Sequence, residues 1–147
     1  MFMLDTNALI AAARHPDWPI RERIRQHLGV DLCISAITYA ELEYGIRKSA
    51  KPEQNRLAVN QLLLGIHILD FDQRAAAHFG DIIATLERQG RRIGDRDTLI
   101  AAHARSLNCT LVTHNTGKFT RVPGLRVEDW QAEQTGGPSC SSQNPTR

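Results

Sequence analysis

The sequence predicts an α/β fold, with a central, mainly parallel sheet of about five short strands between helical layers. Two observations carry this. Short apolar runs alternate along the chain with stretches of helical spacing, the order that builds strand–helix–strand units with right-handed crossovers. The runs are apolar at nearly every position, as suits strands covered on both faces.

Phe2-Met3-Leu4 is the first strand, and Ala8, Leu9, Ile10, Ala11 and Ala12 carry the helix after it. Asp17 and Pro19 mark a second helix start, with Ile20, Ile24 and Leu28 at spacing four and Gly29 as the stop. Leu32-Cys33-Ile34 is the second strand. Ser35 or Thr38 caps the following helix, which runs to about Ser49. Pro52 opens a helix through Leu57 and Leu62 to Gly65, a residue suited to a left-handed stop. His67-Ile68-Leu69 is the third strand. Asp72 then caps a long helix with an apolar stripe of Ala75, Phe79, Ile82, Ile83 and Leu86, closed by Gly90. A polar connection over 91–97 enters a helix carrying Leu99, Ile100, His103 and Leu107, which Asn108 ends. Residues 110–113 form the fourth strand, 114–123 a loop, and Leu125-Arg126-Val127 the fifth strand. One domain over 1–130 is expected. From 131 to 147 Gly, Pro, Ser, Gln and Asn dominate, which predicts a disordered tail.

A chain of 147 residues can bury one core, and 41% hydrophobic with 23% charged residues is ordinary for a globular protein. The net charge of +2 does not by itself mark a nucleic-acid binder. Lys and Arg do cluster at 21–25, 47–51 and 88–96, which permits RNA or DNA contact without demonstrating it. No run approaches the ~18 apolar residues of a membrane span, so no membrane association is expected. No secretory signal is apparent. Cys33, Cys109 and Cys140 are odd in number and lack metal-binding spacing; the first two lie in strand-like runs and read as buried thiols, which fits a reducing cytoplasm.

Four polar positions fall where a parallel sheet gathers strand ends and helix starts along one edge. Asp5 follows the first strand, Glu41 lies early in the helix after the second, Asp97 opens the helix before the fourth, and Asn115 follows the fourth. Each has a plainer reading. Asp5 or Thr6 can simply cap its helix. Thr38-Tyr39-Ala40-Glu41 matches a capping box. Asp97 or Asp95 can serve as a charge at a helix start, and Asn115 can form a turn; Asp97 is favoured for the site, with Asp95 supporting it or standing as the alternative ligand. Asp70 and Asp72 are left out of the site, Asp72 because it reads as a cap. His103 sits on an apolar helical face and reads as a packed core residue, whereas His114 adjoins the site.

Three carboxylates brought together repel and raise one another's pKa. Helix N-termini relieve this only by ~0.3–1 kcal/mol each, and a divalent cation relieves it far better. Carboxylates and an amide without a His or Cys cluster point to Mg²⁺, with Mn²⁺ as the other choice, over Zn²⁺.

At these residues the sequence resembles a known family. MLDTN at the start, TYAELEYGIRKS in the middle, and IGDRDTLIAAHA and LVTHNTGKFTRVPGLRVEDW towards the end are similar, in order and spacing, to PIN-domain ribonucleases and especially VapC-type toxins. The resemblance implies a PIN-like three-layer α/β/α sandwich and a Mg²⁺-dependent endoribonuclease. It maps the acidic site onto Asp5, Glu41 and Asp97, with the more variable fourth position at Asn115. It implies a homodimer held inactive by a VapB-type antitoxin, with operator DNA bound only through the antitoxin. The VTNNT-like fourth motif belongs to a branch that includes enzymes cutting initiator tRNA in the anticodon loop, so tRNA is the expected RNA substrate. His114 stands where that branch often has Asn, and Asp95 where Pro is common.

The expected reaction is in-line attack by water, leaving a 5′-phosphate and a 3′-hydroxyl. Asp5 and Asp97 would bind the metal, Glu41 would bind it or orient a water, and Asn115 and Thr113 would hold the water shell or a phosphate oxygen. Thr6 would position Asp5. Arg14, Arg47, Lys48, Arg92, Arg96 and Lys118 are candidates for RNA-backbone contact. Two other classes stand against this reading. One is a receiver-like, Mg²⁺-binding phosphoacceptor signalling module, for which Asp70 is available but the early acidic pair is not. The other is a non-catalytic PIN-like scaffold for RNA or protein.

Overall fold

The computed structural model describes residues 1–131, so the tail expected beyond Gln131 lies outside the described residues. The elements are β1 (Phe2–Leu4), α1 (Thr6–Arg14), α2 (Pro19–His27), β2 (Leu32–Ser35), α3 (Ala36–Lys48), α4 (Pro52–Leu62), β3 (His67–Leu69), α5 (Gln73–Arg88), α6 (Asp95–Ser106), β4 (Thr110–Val112), α7 (Thr116–Phe119) and β5 (Arg126–Glu128). The five strands form one sheet in the order β3-β2-β1-β4-β5. All four pairings are parallel. Met3 stands opposite Cys33 on one side and Leu111 on the other.

The pleat divides the core. Met3, Cys33 and Leu111 project into a cluster with Ile82, Leu86, Ile100 and Phe119 under α5 and α6. Leu4, Leu32, Ile34 and Val112 project to the opposite face, among Leu9, Ile20, Ile24, Leu42 and Trp130. Side chains alternate across a strand, so β1, β2 and β4 each contribute to both clusters, whereas the edge strands β3 and β5 contribute only Leu69 and Val127 to the first. Three layers result. Cys33 and Cys109 are buried free thiols, while Cys140 lies outside the described residues.

The structure departs from the sequence reading in details that matter at the site. The segment 114–123 is not all loop but contains α7, a helix of four residues anchored by the buried Phe119. So short a helix shows no periodicity. The fifth strand starts one residue later than expected, at Arg126. Leu28 lies just past α2 and is exposed. Ser35, not Thr38, caps α3, its hydroxyl accepting the Ile37 N–H at 3.0 Å. Thr38 is buried inside the first turn, so the Thr38–Glu41 capping box does not form. Asp72 caps α5 as expected, accepting the Ala75 N–H at 3.0 Å.

Candidate active site

β1 and β4 are neighbours at the middle of the sheet, yet the chain leaves β1 towards β2 on the other side. This is a topological switch point, where a crevice opens beyond the strand ends. Asp5 is the first residue past β1, and its N–H donates to the Val112 carbonyl at 3.0 Å, joining the two strand ends. Thr113 is the first residue past β4.

Asp5 does cap α1, with Oδ1 accepting the Ala8 N–H at 2.8 Å. The cap leaves accepting capacity on the carboxylate, and the Thr113 hydroxyl also donates to it. The residue is only 4% exposed. Burial, assisted by the charges of Asp97 and Glu41, pushes its pKa up to about 6 against the lowering effect of the two hydrogen bonds. Thr113 is itself buried, and its hydroxyl accepts the Asn115 N–H at 3.0 Å. One threonine thus links the central carboxylate to the start of α7.

Glu41 lies in the second turn of α3 and is brought to the site by the Thr6 hydroxyl, which donates to Oε1. The same hydroxyl meets that of Thr38 at 3.3 Å. Thr6 therefore holds Glu41 rather than Asp5. The other Glu41 oxygen faces the Arg96 guanidinium at 3.5 Å. Asp97, in the first turn of α6, receives the Lys118 ammonium at 2.7 Å on Oδ2. His103, further along α6, is a buried core residue as expected. Its Nδ1 lies 2.7 Å from the Ser35 hydroxyl, which ties α6 to the start of α3. Burial lowers the His103 pKa, so the ring favours its neutral form.

The remaining positions are placed differently. Asp95 opens α6 but turns to Arg92, at 2.7 Å, with 71% of its side chain exposed. Asn115 is exposed at the start of α7, and its side chain makes no cap hydrogen bond. His114 pairs with Asp129 at 3.0 Å. Among the described residues, no three His, Cys, Asp or Glu side chains are grouped as a ready-made metal cage. Instead, Asp97 and Glu41 each meet a cation of their own chain, while no ion pair reaches Asp5 among the described residues. The Lys118–Asp97 pair was not foreseen as part of the site. Its signal in the sequence is a lysine three residues past Asn115, which gains meaning only once α7 is known to be helical.

The donors gathered here are all oxygen atoms, the set a hard divalent cation prefers. Mg²⁺ asks for only one or two protein carboxylates and keeps several waters, so a three-ligand cage is not required for a fit.

Known proteins resemble this chain over most of its length. A family model described as the PIN domain matches residues 2–125. The tRNA(fMet)-specific endonuclease VapC of Shigella flexneri is 46% identical over 129 residues, covering 88% of this chain and 97% of its own. Ribonuclease VapC2 of Haemophilus influenzae is 45% identical with the same coverage. Among solved structures, the DNA-bound VapBC of Salmonella typhimurium superposes with a TM-score of 0.84 at 43% identity, covering 88% of this chain and 97% of that one.

Proposed function

The chain belongs to the PIN-domain family and, within it, to the VapC ribonucleases, toxin components of VapBC-type toxin–antitoxin pairs; from that premise we propose that it cuts initiator tRNA in the anticodon loop and so inhibits translation. Membership sets aside the signalling-module and non-catalytic readings. The tRNA assignment draws on the naming of relatives at 46% and 43% identity as tRNA(fMet)-specific endonucleases.

The cleaving site in this proposal is Asp5, Glu41 and Asp97, with Asn115 beside them. One observation carries it: a buried aspartate at the switch point, its pKa raised by burial and further by two neighbouring carboxylates, with no ion pair reaching it among the described residues. Asp5 and Asp97 would hold Mg²⁺, with Mn²⁺ able to replace it, and Glu41 would hold the ion or a water. When bound, the ion supplies positive charge to a phosphoryl oxygen and makes a water more acidic. Thr113 keeps Asp5 oriented, Thr6 keeps Glu41 oriented, and Asn115 offers an uncharged amide to a non-bridging phosphate oxygen. Asp95 has no part in this scheme because its side chain is largely exposed and, unlike Asp97 and Glu41, is not among the charges that act on Asp5.

The test is to map the ends of cut RNA after brief expression of the wild type and Asp97→Asn. Cuts confined to the initiator tRNA anticodon loop, with 5′-phosphate and 3′-hydroxyl ends and absent with the variant, are expected. Ends carrying 2′,3′-cyclic phosphate would overturn the water mechanism.

The inferred partner is a VapB-type antitoxin. A groove of about 450 Å³ runs between α1, α3 and α4, lined by Leu9, Ile10, Leu42, Ile46, Val59 and Leu62, and it reaches Glu41. An apolar antitoxin segment seated there would lie against the site. Three solved relatives are VapBC complexes, two of them bound to DNA; in this proposal the antitoxin makes the operator contact and the toxin is a homodimer within the assembly. No helix among the described residues is long and apolar enough to cross a membrane. A cytoplasmic site of action completes the proposal.

A further inference from the structure

Two of the three carboxylates in the site already have cations, and the two pairs differ in kind. Arg96 stands 3.5 Å from Glu41, a loose approach by an exposed side chain. Lys118 stands 2.7 Å from Asp97, and the two side chains are 33% and 32% exposed. Lys118 is carried by α7, whose Phe119 is fixed in the core, so the ammonium is delivered from a rigid base. A lysine is a point charge on a flexible four-carbon stem, able to move between acceptors without moving the backbone. An ion pair this open to solvent is weak enough to exchange. Asn115 adds no negative charge beside it, so Lys118 has no second carboxylate from that position to hold it.

We propose that Lys118 is a positioning residue that acts as an exchangeable counter-ion. In the resting protein it neutralises Asp97. When a divalent cation takes that carboxylate, the ammonium is displaced and swings to the phosphate of the bound RNA. The proposal rests on the reading of Asp97 as a metal ligand. It predicts that one lysine opposes metal binding and favours RNA binding. A side chain that merely braces Asp97 would favour both.

The probe is Mn²⁺ alone, followed by its electron paramagnetic resonance signal in metal-free protein without RNA. Lys118→Gln is expected to bind Mn²⁺ about 5- to 10-fold more tightly than wild type, since a competing charge is gone. Lys118→Arg should stay near wild type, and Asp97→Asn should bind far more weakly. Lys118→Met, read in the same way, serves if the Gln variant folds poorly. Labelled initiator tRNA is then titrated with Ca²⁺ in place of Mg²⁺. Lys118→Gln should bind it several-fold more weakly, with a salt slope lower by about one, and Lys118→Arg should restore both. Unchanged or weaker Mn²⁺ binding by Lys118→Gln, with wild type binding normally, overturns the exchange but leaves the metal site standing. An unchanged salt slope overturns the handover to phosphate. Absence of Mn²⁺ binding to wild type overturns the metal site and the proposal together.

Discussion

Asp5 shows how one side chain serves both structure and chemistry. Its cap on α1 favours the fold, while its buried charge opposes it. The folded-state pKa, about 6, is above the ordinary 3.8, so the folded protein holds this proton more tightly than the unfolded chain. Stability from this group is therefore full below about pH 4 and is lost as the pH rises through 6. The loss amounts to about 3 kcal/mol on the linkage relation. Asp5→Asn keeps the capping oxygen and removes the charge. Thermal melts of metal-free protein should show the variant more stable than wild type at pH 7.5, with the difference closing by pH 4, while RNA cleavage is lost. A wild type as stable at pH 7.5 as the variant would show that Asp5 carries no buried charge. The sequence points to Asp5, Glu41 and Asp97 because each lies just past a strand end or early in a helix. It left caps and ligands unresolved because both roles use the same atoms at the same places. It could not show Lys118 against Asp97, a contact across 21 residues that depends on a four-residue helix.

Among the helices, α4 is the most lightly held. It has no buried residue, and Leu57 on it is exposed. Its polar attachment to α3 is Glu43, which receives both guanidinium nitrogens of Arg56 at 2.7 and 3.0 Å. Arg56, followed by Arg47 and Tyr39, holds the Glu43 carboxyl down at about 2. The clamp is thus in force above the ordinary glutamate pKa and is lost as the pH falls towards 2. Arg56→Gln should speed amide hydrogen exchange several-fold across residues 52–62 and leave β1 and β4 unchanged; equal exchange in α4 would show that apolar contact alone holds it. Gly45 lines the groove that α4 closes, and a Cβ there would meet nothing within 4 Å. Gly45→Ala should raise the melting temperature through helix propensity, and Gly45→Trp should fill the groove and weaken antitoxin binding without loss of cleavage. Element types were legible in the sequence wherever an apolar pattern spanned two or more turns, as in α5. They were not legible in α7, where one buried Phe119 does the anchoring.

At the scale of the molecule, its charges are largely satisfied internally. Of the six cations expected to meet the RNA backbone, Arg47, Arg92, Arg96 and Lys118 each hold a carboxylate of the chain itself. Six phosphate contacts would give log K a slope of about −5 against log salt. With Arg47, Arg92 and Arg96 held by their carboxylates and Lys118 released to the phosphate, a slope of about half that is expected for tRNA, measurable by fluorescence anisotropy across a salt series. A slope near −5 would mean that the three arginine pairs also open on binding.

The strand order has a consequence for how the protein comes into being. β1 is the first strand to leave the ribosome, yet its neighbour β4 begins only at Thr110. Until then the central strand has one open edge, and the nascent chain contains Asp5, Glu41 and Asp97 without Thr113 or Lys118. The crevice between the ends of β1 and β4 thus closes late in translation, and a ribonuclease whose site lies there is expected to stay inactive through most of its own synthesis.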